Sequence, residues 1–114
     1  MAYGRRVAFE AIREVAFGGI GAAYAALGAP LEDNARLIMI TNITDAEVYI
    51  SLDGIVNHLR FAPSSYITID ITANKVRDDG YFIATGTTIY QKRVAAAPTA
   101  GSLWVEIMTT SSGI

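Results

Sequence analysis

At 114 residues, the chain is long enough for one domain with its own core, and it contains no cysteine, so disulfides, zinc–thiolate sites and thiol nucleophiles are excluded. Nine basic against eleven acidic side chains give a formal charge of −2, without the basic excess expected of a nucleic-acid binder. Only 18% of residues are charged while 52% are hydrophobic, which leaves few charges to hold copies apart and points to a homo-oligomer or a large protein partner.

Residues 1–15 fit two patterns. Val7, Phe9 and Ala11 alternate as in a strand, whereas Ala8, Ile12 and Val15 make a helical stripe. Residues 1–21 are therefore expected to be an N-terminal arm, extended or a short helix, with Gly18-Gly19-Ile20-Gly21 as its hinge. The uncharged stretch from Val15 to Leu31 holds four glycines and a proline and falls short of the roughly 20 apolar residues of a membrane helix. Glu10, Arg13 and Glu14 separate it from Arg5 and Arg6, unlike the order of a secretory signal. No membrane span and no address label are expected.

Residues 22–114 read as a β-domain. A first strand is expected over Ala22–Leu27, ending at Gly28-Ala29-Pro30, and a second over Arg36–Thr41. Asn42-Ile43-Thr44-Asp45 is a turn, because Asn and Asp side chains bond their own backbone. Val48, Ile50 and Leu52 then share one face, and Asp53-Gly54 turns the chain again. Leu59 and Phe61 make a short strand before Pro63, and Ile67, Ile69 and Ile71 alternate with Thr68 and Asp70. A polar connection, Thr72 to Gly80, leads to strands at Tyr81–Thr85 and Thr87–Val94. After the loop Ala95–Gly101, the last strand spans Ser102–Met108, with Leu103, Val105 and Ile107 facing one way and Trp104, Glu106 and Met108 the other. About eight short strands without helical crossovers predict an all-β chain, a single antiparallel β-sandwich or jelly roll with an N-terminal arm.

Little in these strands is equipped for chemistry. His58 is the single histidine and lies beside Asn57 in a loop, where a hydrogen-bonded loop role is expected. Asp45, Asp53, Asp70, Asp78 and Asp79 match neither the spacing of a calcium loop nor a glycosidase pair, and turn-making accounts for most of them. Gly19-Ile20-Gly21 lacks the third glycine and the βαβ context of a dinucleotide fingerprint. Asn42-Ile43-Thr44 matches the glycosylation sequon without a secretory signal to support it. No Gly-x-Ser-x-Gly elbow occurs. No catalytic residue, metal ligand or cofactor is therefore expected.

The aromatics carry more. Tyr49, Tyr90 and Trp104 fall opposite the inward aliphatic face of their strands, where they can meet a partner or be covered by the arm. Arg5, Arg6 and Arg13 hold a third of the basic residues within thirteen positions, but Glu10 and Glu14 share that segment, so an arm clasping a neighbouring subunit is favoured over nucleic-acid binding.

Asn42-Ile-Thr-Asp45, Val48-Tyr-Ile-Ser-Leu-Asp-Gly54, Asn57-His58, Asp70-Ile-Thr-Ala-Asn-Lys75, Gly86-Thr-Thr-Ile-Tyr90 and Gly101-Ser-Leu-Trp-Val105 together resemble small β-sandwich virion proteins of tailed bacteriophages, over roughly residues 22–108. The resemblance implies a non-enzymatic part of the virion, assembled in the host cytoplasm. The first expectation is a capsid cement or decoration protein bound to the major capsid protein lattice, and the second a head–tail connector or tail adaptor. Arg5, Arg6, Tyr24, Tyr90 and Trp104 are the candidate interface residues, and no small-molecule substrate is implied. A third expectation, from another class, is a carbohydrate-binding host-attachment module using Tyr81, Tyr90 and Trp104 as an aromatic platform.

Overall fold

The computed structural model describes residues 5–70 and 83–112, and these form an all-β, sandwich-like pair of antiparallel sheets. The strands in chain order are β1 (Arg5–Phe9), β2 (Arg13–Ala16), β3 (Ala25–Ala26), β4 (Asn34–Asn42), β5 (Val48–Ser51), β6 (Leu59–Phe61), β7 (Ser65–Asp70), β8 (Tyr90–Arg93) and β9 (Ser102–Ser112). Sheet A runs β1-β9-β4-β7, with β2 also on β9; sheet B runs β3-β8-β5-β6.

The core follows from the alternation. Ile38 and Ile40 of β4, Leu103, Val105 and Ile107 of β9, and Val48 and Ile50 of β5 are all buried, and Phe61, Ile89, Leu27 and Leu31 close the space between the sheets. Each such side chain contributes roughly 1.5–3 kcal/mol when fully removed from water. A bulge places both Arg36 and Leu37 between the inward Ala35 and Ile38, so β4 keeps its apolar face inward on both sides of the irregularity.

Residues 5–16 are extended, and their pairing explains why the segment carries two patterns at once. Phe9 lies opposite Met108, Glu10 N–H donates to Ile107 O at 3.0 Å, and Arg13 lies opposite Val105. Five residues, Phe9 to Arg13, thus lie against four, Met108 to Val105, a bulge that reverses which side chains face inward. Phe9 is left 70% exposed, while Val15 packs against the core. The same reversal brings Arg13 over the loop after β3, where its guanidinium donates to Leu27 O (3.1 Å) and Ala29 O (2.6 Å) and pairs with Glu10 at 2.6 Å. The arm's backbone therefore pairs with the chain's own last strand.

Boundaries differ from the pattern in several places. The first strand shrinks from Ala22–Leu27 to Ala25–Ala26, and Gly18-Gly19 belong to a 3-10 turn at Phe17–Gly19. The strand expected at Tyr81–Thr85 is reduced, within the described residues, to a single bridge between Ile83 and Ala35; Thr87–Val94 shortens to β8, and the last strand extends past Met108 to Ser112. Ile71 and the connection Thr72–Gly80 lie outside the described residues.

Candidate interface faces

Each sheet has an outer face, and the two differ in chemistry. On sheet A, cross-strand pairing places Phe9, Met108, Leu37 and Asp70 in one row, Glu106, Met39 and Thr68 in the next, and Glu14, Trp104, Thr41 and Tyr66 in a third. Tyr66 is 70% exposed, and Leu37, Met39, Trp104 and Met108 are half-buried. Six large side chains thus form a largely apolar surface, with Asp70 and Glu14 at the ends of its rows and Glu106 within it, between Met108 and Trp104. Scattered single apolar residues are ordinary on a protein surface, whereas a contiguous patch marks an interaction site.

On sheet B, Lys92 alternates with the buried Gln91 and so faces outward, opposite Tyr49. Its ammonium stands 4.6 Å from the ring centre of Tyr24 and 5.7 Å from that of Tyr49, within reach of a cation–π attraction. Arg60 lies opposite Tyr49 on the other side and is held by Glu47, Nε to Oε2 at 2.8 Å. Burial first, then the neighbouring Tyr49 and Asp53, raise the Tyr24 hydroxyl above the ordinary tyrosine range.

The loop after β5 folds back along this face. Asp53 Oδ1 accepts from Ile55 N (2.8 Å), Val56 N (2.9 Å) and Ser51 Oγ (2.9 Å). The Val56 and Ile55 N–H groups and then the Ser51 hydroxyl hold the carboxyl at about 2. Asn57 accepts a hydrogen bond from the Tyr24 hydroxyl, and Leu52 N donates to His58 Nδ1 at 3.0 Å. The Tyr90 ring covers Gly54, 3.3 Å from where a β-carbon would stand, and Gly54 itself has φ +76°.

The candidate residues separate accordingly. Tyr24 and Tyr90 lie on the sheet B side and Trp104 on the sheet A side, because β8 and β9 belong to different sheets. One flat partner cannot meet all three, and Tyr90 with Trp104 cannot form a shared sugar platform; Tyr81 lies outside the described residues. Arg5 and Arg6 stand in β1 opposite Ser112 and Ser111. His58 and Asp53 serve the loop, and Asp45 ties two loops together by accepting from Thr99 N at 2.7 Å. Asp78 and Asp79 are outside the described residues.

Asn42 is wholly buried: its Nδ2 donates to Ala46 O (3.0 Å) and Ala62 O (3.1 Å), and its Oδ1 accepts from Thr44 N and Oγ1. The sequon asparagine of the folded chain is a structural staple with no exposed nitrogen to glycosylate. The pattern did not single out Leu37, Met39 and Lys92; the signal for the first two was a run, Leu37–Ile40, apolar on both faces rather than alternating.

Comparison with protein-family models, with curated proteins and with solved structures gave no match.

Proposed function

We propose that the protein is a non-enzymatic assembly protein that docks through the outer face of sheet A onto a larger protein surface. The observation that carries this reading is the in-register apolar patch of Phe9, Leu37, Met39, Tyr66, Trp104 and Met108. Aromatic and methionine side chains are enriched where proteins meet, and a few of them supply most of the binding energy. The resemblance to tailed-phage virion proteins supplies the setting: a capsid cement or decoration protein bound to the major capsid lattice. Binding only the assembled lattice stabilises it by mass action.

The test is to assemble particles with and without the protein. Particles lacking it lose heat resistance, and Met39→Glu, a partly exposed position, abolishes co-sedimentation of the folded protein with particles. Equal heat resistance, or undiminished binding of the variant, overturns the reading. A head–tail connector or tail adaptor is the alternative in the same setting, and copy number separates the two: hundreds per particle mark cement, a few dozen or fewer mark a ring or adaptor.

A further inference from the structure

We propose that the outer face of sheet B is a binding site for a neutral oligosaccharide, with Tyr49 and Tyr90 as the stacking surface and Tyr24, Lys92, Asp53 and Asn57 as its polar rim. Three tyrosines surround one lysine. Tyr24 and Tyr49 flank its ammonium at 4.6 and 5.7 Å, and Tyr90 stands two residues along the same strand, roughly 7 Å away on the same side. The loop after β5 walls this cluster through the Tyr24–Asn57 hydrogen bond and the contact of Tyr90 with Gly54.

A sugar ring presents an apolar C–H face and a rim of hydroxyls that both donate and accept. Tyrosine matches the first with its ring and the second with its hydroxyl. Around these rings stand an amide, a carboxylate and an ammonium, which between them offer donors and acceptors. Asp53 Oδ1 is spent on the loop, while Oδ2 faces His58 Nε2 at 3.9 Å, beyond hydrogen-bond distance. The loop's own hydrogen bonds hold these groups in place, which lowers the ordering cost of binding.

Charge decides between neutral and acidic sugars. Lys92 and Arg60 on this face are balanced by Asp53 and Glu47, and Arg60 is tied directly to Glu47. No net positive field remains to select a carboxylated or sulfated glycan. The site is independent of the patch on sheet A, so either can fail alone.

The purified full chain is displayed on beads and screened against an array of neutral and acidic oligosaccharides. The expected result is retention of a neutral glycan, weakened at least about tenfold by Tyr49→Ala and by Lys92→Met and unchanged by Trp104→Ala on the opposite face. If Tyr49→Ala fails to fold, as read by its melting curve, Tyr90→Ser with Lys92→Met carries the comparison. No retention, retention of acidic glycans alone, undiminished binding by the face variants, or an equal loss with Trp104→Ala each overturns the proposal.

Discussion

The backbone of Gly101 lies directly beneath the carbonyl of Ile43. A β-carbon on Gly101 would overlap Ile43 O and approach Ile43 C at 2.8 Å and Thr44 Cα at 2.9 Å, all rigid backbone atoms. Gly101 also has φ +89°, outside the range that L side chains adopt readily. This approach seats the loop before β9 on the turn after β4, where Ile43 N donates to Ser102 O at 3.0 Å. Gly101→Ala is expected to destabilise the fold by about 2–4 kcal/mol, combining backbone strain with overpacking, and to lower the melting temperature by more than about 10 °C. Thermal unfolding followed by circular dichroism checks it.

Asn42 carries a second turn from inside. Replacing it with Ala takes one donor each from the carbonyls of Ala46 and Ala62, which keep the Thr44 and Ser65 hydroxyls, and leaves the N–H of Thr44 without its acceptor. An unpaired buried polar group costs about 1–3 kcal/mol, so Asn42→Ala is expected to lose about 1–3 kcal/mol in urea unfolding. Asn42→Asp is expected to be no better, because the carboxylate cannot donate to the two carbonyls that the amide nitrogen serves.

Gln91 gives the opposite expectation. It is 1% exposed among the core aliphatics, its Oε1 has no partner, and its Nε2 reaches Gly19 O only at 3.5 Å. Gln91→Met keeps the length and removes the polar atoms, and is expected to stabilise the protein by about 1–2 kcal/mol. A raised urea midpoint with an unchanged slope is the predicted readout.

Acid sensitivity follows from Asp53 and Asp45. Asp53 is held at about 2 by loop N–H groups and the Ser51 hydroxyl, and Asp45 is lowered by the Thr99 hydroxyl and N–H. The unfolded carboxylates titrate near 3.9, so below that value the unfolded chain binds more protons than the folded one. The stabilisation is complete above about pH 4 and is lost as pH falls toward about 2. Melting temperature is expected to fall across that window, and Asp53→Asn to flatten the fall.

Much of this molecule was legible along the chain. Ile38, Ile40, Val48, Ile50, Leu103, Val105 and Ile107 stand inward as their alternation requires, because successive strand side chains must point to opposite faces. The turns at Asn42–Asp45 and Asp53-Gly54 were legible for an equally local reason: their side chains bond the backbone within a few residues. Residues 7–15 resisted, since a bulge reverses the pattern partway through the segment and no local rule marks where it falls.

The faces are a different matter. Alternation separates inward from outward on one strand, but it carries no information on which sheet that strand joins. Tyr90 and Trp104 are both outward residues by pattern, and only the pairing of β8 with β5 and of β9 with β4 sends them to opposite sides of the sandwich. Likewise, Lys92 meets Tyr24 and Tyr49 through contacts across 68 and 43 positions of sequence, which the fold alone creates. The periodicity by itself determined an all-β core with turns between its strands, because burial of alternate side chains is a property of each strand. The grouping of surface side chains into an apolar patch and a tyrosine–lysine cluster was decided by tertiary structure, because it depends on which distant strands exchange hydrogen bonds.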